Sequence, residues 1–345
     1  MPESAPPARA PFDVCAIASV IISPDISAKA ASEPDYTATW VPLTQPQPAG
    51  VETLLRFAHL SDPHLTGLED VRWGALRGKR VLGYLSWWRK RRQLHQRVVL
   101  DAITRDALDG CPEHVAVTGD LTHIGLAAEH AAAREWLAQL EAVATVSLAP
   151  GNHDLYAADS ARSMYDEWAS YLPSPGGWPG VHKCGAVHFI TLCSGAPSEA
   201  LFAHGRLDDA QLAATGAALQ ASQGAVRVLL IHHSPHPASH PPRKQLHERG
   251  ALIELLAAHG AELILHGHAH RAMLHPLVAG RFRIPVLGAP SASVASATIG
   301  RAGGYHRIVI ERVAGLLQAR VVTRRWTQHG IVTSAALTLR LGDAR

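Results

Sequence analysis

The chain has 345 residues, of which 47% are hydrophobic and 18% are charged, and its net charge is +3. This balance is typical of a soluble globular protein, and so small a charge does not by itself indicate a nucleic-acid-binding protein. The apolar runs are too short for a membrane-spanning helix, which needs about 20 residues. The chain has four scattered cysteines: Cys15, Cys111, Cys184 and Cys193. They form no CxxC pair, which fits a reducing compartment better than a disulfide framework.

The first 50 residues differ in composition from the rest of the chain. They are rich in Pro, Ala and Ser and contain one short apolar patch, CAIASVII. A signal peptide would have a basic start and a longer apolar core. We therefore predict a disordered tail over residues 1–50 and one domain over 51–345; a poor targeting segment and a misassigned start codon are the alternatives for the tail.

From Leu54 onward, strand-like runs alternate with helix-like segments. The predicted strands are LLRFAHL, HVAVTG, ATVSLAPG, AVHFITL, VRVLLIH, AELILHG, IPVLGA and YHRIVIE. The predicted helices span Leu94–Leu108, Ala127–Val143, Ala161–Tyr171, Asp208–Gln220 and Gln245–His259. This alternation predicts an α/β fold whose strands are buried on both faces. Consecutive strands in the last third predict a second sheet.

Polar side chains follow five of the predicted strands. They are Asp62 and His64, then Asp120, then Asn152, His153 and Asp154, then His232 and His233, then His266, His268 and His270. In open α/β sheets, ligands bind outside the carboxyl ends of the strands. We therefore expect these side chains to meet at one edge.

The spacing of these residues favours metal binding. In an extended segment, residues i and i+2 point to the same side, so Asp62 with His64, and His268 with His270, can each face one site. The glycines at 119, 151 and 267 let the backbone turn sharply, so that short side chains can reach inward. Carboxylate, amide and imidazole ligands without cysteine suit Mn, Fe or Zn rather than a thiolate-bound structural zinc. Seven ligands are too many for one ion and indicate two ions that share a carboxylate.

The order DxH, GD, GNHD, H, GHxH resembles that of the calcineurin-like metallophosphoesterases, and in motif it is closest to the bacterial class III cyclic-nucleotide phosphodiesterases. The resemblance covers Leu54 to about Ile310. It implies a β-sandwich flanked by helices in four layers, α/β/β/α. It also implies a first metal on Asp62, His64 and His270, a second on Asn152, His232 and His268, and Asp120 as the bridge.

The resemblance also implies a mechanism. A hydroxide shared by two divalent or trivalent cations would attack phosphorus in line. His153 would face the scissile phosphate and stabilise charge or protonate the leaving oxygen. Asp154 would orient His153 or else cap a helix, and His233 would contact substrate or simply be a neighbour. One departure is His123, which stands where many relatives have Asp.

A basic and aromatic insertion is predicted at 67–97. Its stretch 72–97 holds nine Lys or Arg residues, no acid, and the aromatic residues Trp73, Tyr84, Trp87 and Trp88. One interpretation is a solvated helix start with some core aromatics. The other is a mobile flap near the metal site that contacts anionic lipid or nucleic acid, with Trp87, Trp88 and Arg91 as substrate-binding residues.

Three functions fit the sequence. The first is a phosphodiesterase acting on a cyclic nucleotide or a similar small diester. The alternative is a membrane-associated hydrolase, a lipid-linked pyrophosphatase or phospholipid phosphoesterase. The third is a metal-free scaffold that binds protein partners, against which the complete ligand set argues. We expect a cytoplasmic location, with peripheral contact to the inner face of the membrane.

Overall fold

The computed structural model describes residues 50–65, 67–198 and 202–342 of the chain. Apart from Gly50, the predicted tail lies outside these residues, so its disorder stays a prediction. Within the described part of the chain, no helix combines the length and the apolar character that crossing a bilayer requires.

Twelve strands and seven α-helices make up the regular structure of the described residues. The strands are β1 (Val51–Leu60), β2 (His114–Val117), β3 (Thr145–Leu148), β4 (Gly180–Cys184), β5 (Val187–Thr191), β6 (Val226–Ile231), β7 (Leu263–His266), β8 (Met273–Ala279), β9 (Phe282–Gly288), β10 (Gly304–Val313), β11 (Leu316–Thr327) and β12 (Gly330–Arg340). The helices are α1 (Lys79–Ser86), α2 (Arg92–Leu94), α3 (Arg97–Asp109), α4 (Ala127–Glu141), α5 (Ser160–Trp168), α6 (Asp209–Ala221) and α7 (Arg249–His259).

The strands form two sheets of six strands each. The first has the order β12-β11-β10-β1-β2-β3, and the second has the order β4-β5-β6-β7-β9-β8. β1, β2 and β3 are parallel neighbours in the first sheet, and β5, β6, β7 and β9 are parallel neighbours in the second. The prediction of a second sheet is confirmed, but its composition was wrong. The last strands extend the first sheet through the antiparallel pair β1–β10, and the middle of the chain builds the second.

Strand alternation explains why the sheets stack. Leu55 and Phe57 of β1 join Val228 and Leu230 of β6 in the core between the sheets. The residues that point the other way bury against helices instead. The outer face of the first sheet packs on α3, α4 and α5, and that of the second packs on α6 and α7. The predicted four-layer α/β/β/α sandwich is therefore confirmed, and both faces of the central strands are buried.

The basic insertion forms a continuous helical segment. α1, a π-helical stretch over Trp87–Arg91 and α2 follow one another without a break, and we call residues 79–94 the basic helix. Trp87 is almost fully buried, at 1% exposure, among Leu68, Leu76, Ile124 and Tyr156. This small cluster holds the basic helix against the sandwich.

His114, the first residue of β2, is buried without charge in the core between the sheets. Its ring stacks on Phe189 with centroids 4.0 Å apart, and its Nδ1 lies 2.7 Å from Thr145 Oγ1. Burial, with a smaller contribution from His182, lowers the pKa of His114 to about 3. The unfolded chain binds this proton below about pH 6.5. The stability that neutral His114 contributes is therefore present above that pH and is lost as the pH falls toward the folded pKa.

His114→Phe should weaken the pH dependence of stability. Between about pH 7 and about pH 5, we expect its free energy of unfolding to fall by about 2 kcal/mol less than that of the wild type. Urea denaturation at both pH values measures the difference. His329→Phe, at an exposed histidine, is the matched control and should follow the wild type. Equal pH slopes for His114→Phe and wild type would contradict the assignment.

Candidate metal centre

The polar strand ends of both sheets converge on one place. β1, β2 and β3 deliver Asp62, His64, Asp120 and Asn152 from the first sheet, and β6 and β7 deliver histidines from the second. Contacts cross between the sheets: His270 Nε2 lies 3.2 Å from Asp62 Oδ1. The predicted ligand residues are buried except His270, whose side chain is 31% exposed. The sandwich thus encloses the site and leaves His270 toward the opening.

Four of these residues form a first cluster. One ligand atom from each of Asp62, His64, Asp120 and His270 lies within 4.8 Å of the others. His64 Nε2 is 3.3 Å from His270 Nε2 and 3.9 Å from Asp120 Oδ2. The ligands predicted for the first metal, Asp62, His64 and His270, thus lie together with the predicted bridge, Asp120.

A second cluster shares Asp120 with the first. His232 Nε2 lies 3.2 Å from Asp120 Oδ2 and 3.2 Å from His268 Nδ1. His233 offers a ring nitrogen within 4.8 Å of ligand atoms of His232 and His268. Asn152 Oδ1 is buried and accepts no hydrogen bond from the described residues. A single carboxylate oxygen, Asp120 Oδ2, therefore faces histidines of both clusters.

Backbone carbonyls fix the tautomers of two histidines. His64 Nδ1 lies 2.8 Å from Thr122 O, and His232 Nδ1 lies 2.6 Å from Thr118 O. Because a carbonyl only accepts hydrogen bonds, each Nδ1 carries the proton. In the neutral ring, Nε2 then presents its lone pair to the cluster, which is the arrangement that metal-binding histidines need.

Electrostatics at the centre favour positive charge beside Asp120. Burial raises the pKa of Asp120, but His232 and His153 outweigh it and hold that pKa well below its usual range. Burial lowers the pKa of His232, but Asp120 outweighs it and raises the pKa to about 9. A proton on His232 and a cation beside Asp120 would therefore each compensate the negative charge of the Asp120 carboxylate.

The donor set fits cations. The atoms that converge are carboxylate oxygens, an amide oxygen and imidazole nitrogens, which suit Mn, Fe and Zn. A buried polar atom without a partner costs about 1–3 kcal/mol, so the unpaired Asn152 Oδ1 calls for a positively charged neighbour.

Backbone strain is concentrated at the centre. Seven described residues other than glycine have a positive φ, and five of them are predicted ligands with φ between 39° and 66°: Asp62, His64, Asp120, His268 and His270. This region is sparsely populated by such residues, and it persists where the surroundings dictate it. The strands therefore hold these side chains in an enforced geometry.

His153 lies beside the first cluster, with its ring centroid 5.0 Å from that of His64. Its backbone N–H donates to Asp120 Oδ1 at 2.7 Å, and its Nδ1 donates to His123 O at 2.5 Å. Arg91 of the basic helix places Nη1 3.2 Å from His153 Nε2. Burial, and next the Arg91 charge, lower the pKa of His153 to about 3. A guanidinium and an imidazole thus stand together next to the ligand set.

Asp154 has other partners than expected. Its carboxylate accepts hydrogen bonds from four backbone N–H groups in the loops after β2 and β3, at 2.8–3.1 Å: Asp120 N, Leu121 N, Thr122 N and Gly151 N. The carboxylate makes these bonds rather than a bond to the His153 ring. Burial and the neighbouring Asp120 raise the pKa of Asp154 to about 7, while the N–H groups oppose this rise. His123 O orients His153 instead, and Asp154 fastens the two loops together.

The residues predicted to bind substrate separate in the structure. Arg91 reaches His153. Trp87 is buried in the cluster beneath the basic helix, so the prediction that Trp87 binds substrate was wrong. Trp88 is 50% exposed, and the Arg92 guanidinium lies over the Trp88 ring, 5.0 Å from the ring centroid. His233 is buried and its Nδ1 lies 2.8 Å from Ser194 Oγ.

Two histidines at the centre were not assigned from sequence. His95 lies directly after the basic helix, its Nδ1 2.8 Å from Ser293 Oγ, and it can place a ligand atom within 4.8 Å of those of His64 and His270. His123 stacks on His64, with centroids 5.2 Å apart and planes 17° apart. The GDLTH motif pointed to His123, but nothing in the sequence around His95 marked it.

Comparisons with known proteins agree with this geometry. The sequence model of the calcineurin-like phosphoesterase family matches residues 55–272. A dimetal phosphatase from Danio rerio superposes with a TM-score of 0.59 at 14% identity, covering 84% of this chain and 100% of that one. The purple acid phosphatase PPD1 from yellow lupin seeds gives 0.51 at 13% identity, covering 86% and 55%. These structures show a shared fold. No curated protein sequence is similar enough to count as a match.

Gly151→Ala should weaken metal binding. A Cβ there would lie 2.2 Å from Asp120 Oδ1 and 2.7 Å from Asp120 N, so the shared carboxylate must shift. We expect Mn²⁺ affinity to fall at least about tenfold, as for changes around metal ligands. Isothermal titration measures this loss. Gly74→Ala, where a Cβ meets nothing within 4 Å, is the control; equal affinities of the two variants would refute the argument.

Proposed function

Because the chain belongs to the calcineurin-like phosphoesterase family, we propose that it is a metal-dependent hydrolase of phosphoric esters with a two-metal centre. The observation that carries the proposal is the position of Asp120 Oδ2, between His232 at 3.2 Å and His64 at 3.9 Å. A carboxylate placed between two ligand sets can bind a cation on each side. The dimetal phosphatase of similar fold supports the same interpretation.

The proposed ligand assignment follows the two clusters. One ion is held by Asp62, His64 and His270, and the other by Asn152, His232 and His268. Asp120 is shared by both ions. His95 is a further candidate for the first ion because it reaches the same point as His64 and His270. Mn, Fe and Zn all suit this set.

The residues beside the ions supply positioning and charge. When bound, two such ions lower the pKa of the water that they share and neutralise the phosphate oxygens. Arg91 projects its guanidinium toward the same place and can donate two hydrogen bonds to a phosphate. His153 Nε2 accepts from Arg91 and so holds the guanidinium in position. Asp154 keeps the two ligand loops in register by accepting their N–H groups.

For the substrate, we propose a phosphodiester, in first place a cyclic nucleotide or a similar small diester. The motifs SDPHL, GDLT, GNHD and GHAH support this choice, as they resemble those of the cyclic-nucleotide branch. A lipid-linked phosphate is the second candidate, favoured by the exposed apolar side chains of the basic helix, Val81, Leu82, Leu85 and Trp88. Hydrolysis of a cyclic-nucleotide panel, compared with UDP-diacylglucosamine-type lipids in the presence of Mn²⁺, separates the two classes.

Asp120→Asn should remove metal and activity together. The amide keeps the shape and can still accept the His153 N–H, but it loses the charge that both ions share. We expect metal content to drop below two ions per chain, and turnover of bis(p-nitrophenyl) phosphate to fall by more than about 100-fold. Mass spectrometry of bound metal and a colorimetric assay provide the readouts. Asp101→Asn, at a surface carboxylate paired with Arg97, should change neither. Two bound metals and normal turnover in Asp120→Asn would refute the shared-ligand assignment.

His153→Ala should lower kcat while leaving both metals in place. Acid–base and positioning groups of this kind contribute about 10²–10⁴-fold. If His153 acts by positioning Arg91, the loss is equal for good and poor leaving groups, and Arg91→Met lowers kcat to a similar extent. If it protonates the leaving oxygen, p-nitrophenyl esters are spared and alkyl esters are not. Loss of metal from His153→Ala would contradict both roles.

A further inference from the structure

The basic helix exposes apolar side chains on its outer side, whereas a surface helix usually buries them against the core. The side chains exposed on its outer side include Val81, Leu82, Leu85 and Trp88, at 38–52% exposure. Trp73, 79% exposed, lies next to Tyr84 of the helix with ring centroids 6.0 Å apart. These residues make up five of the thirteen exposed large apolar side chains among the described residues. We call them the apolar face; such a concentration indicates an interaction surface.

The inner side of the basic helix is fixed to the sandwich. Arg80 donates to Ile124 O at 3.1 Å and Gly125 O at 2.8 Å, and it pairs with Asp159 at 2.8 Å. Trp87 fills the cluster below. The expected flap is therefore an anchored helix, and its apolar face is presented outward by this packing.

The charges within the sequence segment that carries the apolar face are all of one sign. No acid occurs between Asp70 and Asp101, and the segment between them carries nine bases. Some of these bases turn inward, as Arg80 and Arg91 do. Others are exposed around the apolar face: Arg72, Arg77, Arg89, Lys90 and Arg92. The surface thus joins exposed apolar side chains to a basic rim.

We propose that this surface docks on an anionic membrane. Bases near a membrane surface are attracted to its negative lipid head groups, while tryptophan and aliphatic side chains enter the boundary with the acyl chains. The aliphatic residues favour lipid over nucleic acid, because Val81, Leu82 and Leu85 have no ring on which a base can stack. The charge complementarity and the apolar face together select one occupant, an anionic bilayer.

Docking would bring the candidate metal centre close to lipid phosphates. Arg91, on the inner side of the basic helix, is 3.2 Å from His153 Nε2. The apolar face is on the opposite side of the same helix, and a helix with its side chains is about 10–12 Å across. A phosphate at the membrane surface thus lies about one helix diameter from Arg91. Resting on the proposed function, this placement supports the second of the two proposed substrate classes, a lipid-linked phosphate.

Sedimentation with vesicles tests docking without any catalytic readout. The full chain is mixed with vesicles of phosphatidylcholine, with or without phosphatidylglycerol, at low and high salt. We expect binding only to the anionic vesicles and weakening by salt. An apolar-face variant (Leu82→Ser, Leu85→Ser, Trp88→Ser) and a charge variant (Arg72→Gln, Arg77→Gln, Arg89→Gln, Lys90→Gln) should each bind at least about tenfold more weakly.

Matched controls make the same number of apolar-to-serine or base-to-glutamine changes, so the net charge of each control equals that of its test variant. The control for the apolar-face variant carries serine at three exposed valines elsewhere: Val143, Val278 and Val332. The control for the charge variant carries glutamine at four exposed arginines elsewhere: Arg134, Arg281, Arg283 and Arg340. Both should bind vesicles as the wild type does. Circular dichroism and bound metal confirm that each variant is folded.

Three results would overturn the proposal. The first is a wild-type chain that stays in the supernatant with anionic vesicles at low salt. The second is vesicle binding by both variants at wild-type strength. The third is an apolar face that serves self-association or single-stranded nucleic acid, shown by sedimentation velocity or by oligonucleotide titration in the absence of vesicle binding. Hydrolysis does not enter these results, so a failure of the proposed function leaves docking testable. Vesicle binding without turnover of any lipid phosphate would remove only the substrate assignment.

Discussion

The burial of one carboxylate between two sheets governs the candidate site. Asp120 is 1% exposed, and its two oxygens face different groups: Oδ2 faces histidines of both clusters, and Oδ1 accepts the His153 N–H. An ion moved out of water into a protein interior costs several kcal/mol unless positive charge or hydrogen bonds compensate. The site can therefore be understood as the means by which this fold compensates Asp120, with the His153 backbone N–H at Oδ1 and positive charge at Oδ2.

That requirement explains the backbone strain. Non-glycine residues in the left-handed region cost about 1–3 kcal/mol each, and five predicted ligands adopt it. Such conformations persist only when surrounding structure enforces them. The enforcement comes from the strands on which the ligand loops begin, which are buried on both faces, and from Asp154, whose carboxylate accepts N–H groups of two ligand loops. The stable sandwich thus supports a locally unfavourable site.

The sequence predicted the parts of the fold whose signals are local. Each metal motif follows an apolar run, and parallel strands bring such ends to one edge, so the meeting of these polar side chains could be predicted before any coordinates. The division of the ligands between two metals came from the family resemblance. The two edge strands of the second sheet, β4 and β8, were missed because they have no such run. β4 alternates buried and exposed residues over only five positions, and β8 contains Pro276, which weakens any strand prediction. The placement of β10 next to β1 depends on long-range pairing that no local pattern encodes.

Side-chain direction limited the predictions within the site. Adjacency in sequence suggested that Asp154 orients His153, but consecutive residues in a loop point to different places, and a carbonyl performs that role. Arg91 lies in the basic helix and His95 directly after it, outside the metal motifs, and only the packing of this segment turns both toward the centre.

The same packing gives the basic helix two different sides. Arg80 and Trp87 fix one side of it to the sandwich, so Arg91 must point toward His153 and Val81, Leu82 and Leu85 must point away. A π-helical turn at Trp87–Arg91 lies where these directions are set, and such turns are frequent at functional sites. Because one rigid segment carries both the residue beside the metal ligands and the exposed apolar face, whatever covers that face is held at a fixed distance from the centre. In the proposed docking, the surface that covers this face would limit which substrates reach the centre.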